Sequence, residues 1–205
     1  MKKLFSTLGM MALVSLCLFT SCKDEDVPGK TVVNKDDVTA ALNQAQQNAQ
    51  KAIIADAEAN KATAVVQPDG TVKVTNADQT YSVTSVQSSY TYTVVANGKT
   101  TTCRTEDQLQ ATLANLPAGT TATITAVLSQ TTTTTEFDKD GKQVNVEKET
   151  EQSDPVTSTV KIPDAGNAST ETIKLPTNLD GKDTAEVQVT IVVNEKGQHS
   201  GGGIN

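Results

Sequence analysis

From Thr121 to Leu128 the chain alternates: Ala122, Ile124, Ala126 and Leu128 are apolar, and Thr121, Thr123 and Thr125 separate them. A period of two belongs to a β-strand, whose successive side chains leave opposite faces; a helix would scatter the same residues around its surface. Val187, Val189, Ile191 and Val193 repeat the pattern. One face greasy and one wetted is the mark of antiparallel sheets, and the β-branched threonines suit a pleated, half-buried surface. Residues 65–196 therefore read as a threonine-rich β-domain.

Turn signals cut this region into strands. Asp69-Gly70 opens residues 71–75, which are followed by 80–86 and 89–96, and Asn97-Gly98 joins the latter to 99–103. Asn-Gly suits a two-residue hairpin because both central residues must accept positive φ. Thr131 to Thr135 extends the alternating strand, Asp138-Lys139-Asp140-Gly141 turns it into 142–150, and 156–162, 170–175 and 185–193 complete the set. Trp is absent and aromatics make up 3%, so the core must come from Val, Ile, Leu and Ala.

Two helices interrupt the β pattern. Over 36–62 the chain is Ala- and Gln-rich, with Val38, Ala41, Leu42, Ala45, Ala49, Ala52 and Ile53 at helical spacing after a cap at Asn34. This narrow stripe suits packing on the β-domain, packing on a second helix, or a coiled-coil stalk. Thr105-Glu106-Asp107-Gln108 reads as a capping box for a short internal helix carrying Leu109, Leu113 and Leu116 and ending before Pro117. Residues 22–35, with Pro28-Gly29, read as a tether, and 197–205, with His199 among glycines, as a flexible tail.

Lys2 and Lys3, the apolar run Leu8 to Phe19, and the small residues Thr20 and Ser21 have the layout of a secretory signal over 1–21, too short to span a bilayer. Phe19-Thr20-Ser21-Cys22 resembles a bacterial lipobox, with Phe19 where Leu is more usual. The resemblance implies that Cys22 becomes the acylated first residue of the mature protein. Lys23-Asp24-Glu25-Asp26 resembles the acidic export signal of surface-exposed Bacteroidetes lipoproteins, which implies attachment to the outer membrane facing the cell exterior. Two or more acyl chains would make that attachment stable, whereas one gives reversible binding.

Leu116-Pro117-Ala118-Gly119-Thr120, leading into Ala122 and Ile124, resembles the fibronectin type III segment that passes from one sheet to the other; Ala122 stands where that family carries tyrosine. The resemblance implies an immunoglobulin-like or related β-sandwich; with the one N-terminal helix and the one short internal helix read above, the expected fold is mainly β. Asp183-Thr184-Ala185 resembles the acceptor of the O-glycosylation system of Bacteroidetes exported proteins, which makes Thr184 a candidate for modification.

Little in the chain suits catalysis. Its single histidine, His199, lies in the glycine-rich tail, so neither a serine nor a cysteine has an evident base. Cys17 leaves with the signal and Cys22 is acylated, which leaves Cys103 alone as a small apolar filler. No Cys/His cluster suggests a metal, no cofactor is expected, and Asp138 and Asp140 read as a hairpin turn rather than a calcium loop. Losing Lys2 and Lys3 takes the formal charge from -7 to -9, which disfavours nucleic acid. Tyr90 and Tyr92 share a strand face near Tyr81 and are candidate ligand contacts, with core packing as the competing reading. The expectation is a noncatalytic surface lipoprotein presenting a β-sandwich for adhesion, capture of a glycan or protein ligand, or scaffolding. The alternatives are a pore-forming or membrane-active β protein, or a lipoprotein pilin subunit. The sequence leaves the oligomeric state open.

Overall fold

A computed structural model describes residues 29–201; the expected signal, Cys22 and the acidic run Lys23–Asp26 lie outside them. In chain order the elements are β1 (Lys30–Val33), α1 (Lys35–Ala59), β2 (Thr63–Val66), β3 (Val72–Thr75), β4 (Tyr81–Ala96), β5 (Lys99–Cys103), α2 (Glu106–Ala114), β6 (Thr121–Phe137), β7 (Gln143–Gln152), β8 (Val156–Lys161), β9 (Ala168–Pro176) and β10 (Thr184–Val192). They form a mainly-β, sandwich-like fold of antiparallel sheets. One sheet has the order β1-β10-β9, and the larger one runs β2-β3-β4-β6-β7, with β5 also on β4 and β8 also on β6.

The alternation read at Thr121 is the inner edge of a long ladder. Fifteen residues of β4 pair with β6, from Tyr81↔Phe137 to Val95↔Thr123, with no bulge. At roughly 3.3 Å per residue this spine is about 45 Å long. Each spine strand is long enough to hold two partners end to end. β3 and β5 share one edge of β4, and β7 and β8 share one edge of β6. The proximal half packs against the three-stranded sheet in one core that includes Tyr92, Ile124, Leu128, Ile173, Leu175, Val189 and Ile191. The distal half extends beyond it, with α1 lying against β2, β3 and β4.

Residues 80–86 and 89–96 were expected as separate strands, but Gln87, Ser88 and Ser89 pair without a break to Thr131, Gln130 and Ser129. Their polarity has a local cause. Gln130 is buried, and its amide donates to the Ala45 carbonyl at 3.2 Å and to Ser88 Oγ at 3.3 Å, where the helix crosses the sheet.

The helix is a layer of the fold rather than a stalk. Asn34 caps it by accepting from the Asp36 and Asp37 amides, and Asp37 accepts the Gln188 N–H at 3.0 Å, tying its first turn to β10. Val38, Ala41 and Ala45 are buried in the common core, and alanine's small side chain lets helix and sheet approach closely. In α2, Thr105 accepts the Gln108 N–H, and Leu109 and Leu113 are fully buried.

Both ends of the described chain are more ordered than the sequence implied. The expected tether over 22–35 contains β1, paired to β10 from Lys30↔Val192 to Val33↔Val189. Instead of a flexible tail, residues 198–200 run beside it: Thr31 N–H donates to the Ser200 carbonyl at 2.8 Å, and a β-carbon on Gly29 would collide with the Gln198 carbonyl and the His199 backbone. Thr31 is wholly buried. Its hydroxyl lies 2.7 Å from His199 Nδ1, while His199 Nε2 donates to the Leu116 carbonyl at 2.7 Å. The Leu116–Thr120 segment does not change sheets, because β5 before it and β6 after it both pair with β4. The Asn97-Gly98 hairpin forms as expected, with φ of 50° and 73°.

Ile191→Ala, at a fully buried position near the C-terminal end of β10, is expected to lower the unfolding free energy by roughly 2–5 kcal/mol in urea titrations followed by circular dichroism. His199→Ala is expected to cost roughly 1–3 kcal/mol, because the buried Thr31 hydroxyl and the Leu116 carbonyl lose their partner. An unchanged midpoint for His199→Ala would mean that the C-terminal segment does not help hold the fold.

Candidate functional site

The β4–β6 register sorts side chains by parity. Even-numbered residues of both strands face inward, including Tyr90, Tyr92, Val94, Ile124 and Leu128, and odd-numbered residues form the outer face. Over the proximal half that outer face is polar, with a cross-strand row Thr102–Thr93–Thr125–Thr157. At the distal end its character changes. One row reads Val65–Lys73–Val83–Thr135–Val146 and the next Thr63–Thr75–Tyr81–Phe137–Gln143, each crossing five strands.

Four of the five exposed large hydrophobic residues among the described ones belong to the two distal edge strands: Val65, Val66, Val144 and Val146, exposed by 43–60%. Tyr81 and Phe137 stack at 4.7 Å between ring centroids and 11° between planes. Lys73 Nζ sits 4.1 Å from the centroid of Tyr81, so cation and two rings form one continuous ridge across β3, β4 and β6. Beside the ridge, an open groove of about 450 Å³ is lined by Lys61, Thr63, Val65, Gln67, Lys73, Thr75, Asn76 and Ala77.

Turn chemistry holds the groove's ends. Asp69 accepts from the amide and hydroxyl of Thr71, and Asp78 does the same with Thr80; these hydrogen bonds favour the charged carboxylate and hold both groups below the usual aspartate range. Asn76 Nδ2 donates to Thr80 Oγ1 at 3.0 Å. The carboxylates of β6 and β7 lie on the opposite face: Glu136, Glu147 and Glu149 pair across with Asn145, Thr134 and Thr132, out of phase with Val146 and Lys148. A second cleft, of about 260 Å³, lies between α1 and the spine, with Ala52, Ile53 and Val86 on its walls and Thr132, Glu151 and Asn178 at polar positions.

The tyrosines proposed as ligand contacts have another role. Tyr90 and Tyr92 are 3% and 0% exposed, their rings pack at 6.1 Å, and their hydroxyls donate to the Pro176 carbonyl at 2.9 Å and to Glu106 Oε1 at 3.1 Å. They are core residues because β4 places every even position inward. Tyr81, at an odd position, carries the surface role, with Phe137 as a partner 56 positions away that sequence reasoning did not find. The available signal was phase: Tyr81, Phe137 and Val146 are apolar at positions that a buried face leaves to polar residues.

Thr184 is the half-buried first residue of β10, paired to Pro176. Cys103 is buried, its sulfur 3.3 Å from Thr112 Oγ1. Asp138 accepts from the amides of Asp140 and Lys142, which closes the β6–β7 turn as a hairpin. Cys22 and Lys23, Asp24, Glu25 and Asp26 lie outside the described residues. Among those described, no group of three His, Cys, Asp or Glu side chains is placed to hold a metal ion.

An open face of this kind can stack a flat apolar surface, exchange hydrogen bonds through threonine, asparagine and glutamine, and attract an anion through lysine. Comparisons with known protein families, with curated proteins and with solved structures find no match.

Burial pushes the Tyr90 and Tyr92 hydroxyls well above the ordinary phenol value of 10.0, and for Tyr92 the neighbouring Glu106 charge adds to the effect. The unfolded chain releases these protons more readily than the folded one, so stability is full below pH 10 and falls as pH rises beyond it. Urea titrations between pH 9 and 11.5 should show this loss, and Tyr90→Phe/Tyr92→Phe should flatten it. An equally steep decline in the double variant would assign the alkaline sensitivity to other groups.

Proposed function

We propose that the protein is a noncatalytic, lipid-anchored protein of the outer membrane whose β-sandwich presents the distal face of its larger sheet to a ligand outside the cell. The observation that carries this reading is the separation of the two ends. Lys30, where the described chain leaves the expected anchor, pairs with Val192 beside His199 and Leu116, at the proximal end. Tyr81 and Phe137 close the opposite end of the fifteen-pair spine. From Cys22, the chain to Lys30 reaches at most roughly 28 Å, so the body stands near the bilayer with its apolar, lysine-bearing face directed away.

Details of β7 argue against the other readings. Its charges fall on both faces, with Lys148 on one and Glu147, Glu149 and Glu151 on the other, whereas a membrane-inserted hairpin needs one apolar face. The same charges blunt β7 as an edge for strand addition, which disfavours polymerisation by strand exchange.

Cys22→Ala is expected to move the protein from the membrane pellet to the soluble fraction while leaving its far-UV circular dichroism unchanged. Brief protease treatment of intact cells should remove the wild-type protein. Membrane retention of the variant would overturn the lipid anchor, and survival under protease would overturn outward display.

A further inference from the structure

Resting on the ligand-capture reading above, we propose that the distal groove binds a polysaccharide carrying carboxylate or sulfate groups. The groove is flanked by two ammonium groups, Lys61 and Lys73, and Lys148 lies on the same face, paired across to Thr133. None of the three forms an ion pair among the described residues, in contrast to Lys35 with Asp107 and Lys182 with Asp180. This cationic face belongs to a chain of net charge -7. The strands create it by sorting: Glu136, Glu147, Glu149 and Glu151 all lie on the other side of the sheet. The carboxylates in the neighbouring turns, Asp69, Asp78 and Asp138, accept hydrogen bonds from their own loops. An anion entering the groove therefore meets lysines that no carboxylate pairs with directly, while the charged turn aspartates stay bonded to their own loops.

The remaining chemistry selects a sugar polymer. Tyr81 is covered by Phe137 and Lys73, so it is Phe137, beside the groove, that supplies aromatic surface for the apolar side of a pyranose ring, and Thr63, Thr75 and Gln67 supply hydroxyl and amide groups for its hydroxyls. The groove is shallow and open, which suits an extended chain. A protein partner would need a contiguous apolar centre, but in the row Val65–Lys73–Val83–Thr135–Val146 the valines alternate with a cation and a threonine.

The test uses full-length protein in detergent and measures binding to polygalacturonate, to chondroitin sulfate, to neutral dextran and to phosphatidylglycerol vesicles. Retention on the two acidic polysaccharides is expected, weakening as salt screens the lysines, with much less on dextran. Lys61→Glu/Lys73→Glu should weaken that binding about tenfold, and Phe137→Ala should weaken it with the lysines intact. Lys61→Glu alone spares the Tyr81 contact, and an unchanged melting temperature in that variant excludes unfolding as the cause of any loss. Equal binding to dextran, lost in Phe137→Ala, would overturn the anionic preference while leaving ligand capture standing. Vesicle binding as tight as polysaccharide binding, through the same lysines, would replace the sugar with a lipid surface. No binding to any of the four probes, with Cys22→Ala still released from the membrane, would overturn this inference but not the lipid anchor.

Discussion

The uninterrupted pairing of β4 with β6 is the constraint on which the other elements depend. Side chains alternate along a strand, so a single register sends Tyr90, Tyr92, Ile124 and Leu128 inward together and Thr91, Thr93, Thr123 and Thr125 outward together. A slip of one residue would exchange the sets and bury threonine hydroxyls where the aliphatic core now lies. The spine's length also explains the divided edges. A strand of 16 or 17 residues is longer than its shorter partners, so β3 and β5 follow one another along β4, and β7 and β8 along β6.

The small sheet depends on a different set of contacts. β1 is four residues long and would be marginal as a free edge. On its open side it donates hydrogen bonds to two sequence-distant groups: Gln110 Oε1 accepts the Val33 N–H at 3.0 Å, and the Ser200 carbonyl accepts that of Thr31. The single histidine completes the arrangement by satisfying buried Thr31. Residues near the two ends of the described span thus close the same corner of the fold, opposite the distal groove.

Aromatic residues are scarce, and their division follows the same parity rule. Tyr90 and Tyr92 fill the junction between the two sheets, with hydroxyls bonded to Pro176 and Glu106. Tyr81 and Phe137 fall on the outer face, where the helix does not cover them, and stack on each other. Charge divides in the same way, with lysine on the outer face of the distal strands and glutamate on the inner one. A sheet built this way presents two chemically different surfaces from one hairpin.

Much of this was legible in the residues themselves. The alternation at Thr121–Leu128, the Asn97-Gly98 turn, the Thr105 cap and the alanine-rich helix are local signals, each resolved within a few residues by backbone preference and side-chain period. The mainly-β class and most strand positions follow from them. What the sequence could not determine is which strands pair, because pairing energy comes from contacts far apart in the chain. That Gln87-Ser88-Ser89 continues a strand depends on Gln130 and Ala45; that the tail is docked depends on Thr31 and Leu116; and that Tyr90 rather than Tyr81 enters the core depends on the register of β4 against β6. Local chemistry set the period of each element, and tertiary packing decided which phase of that period would be buried.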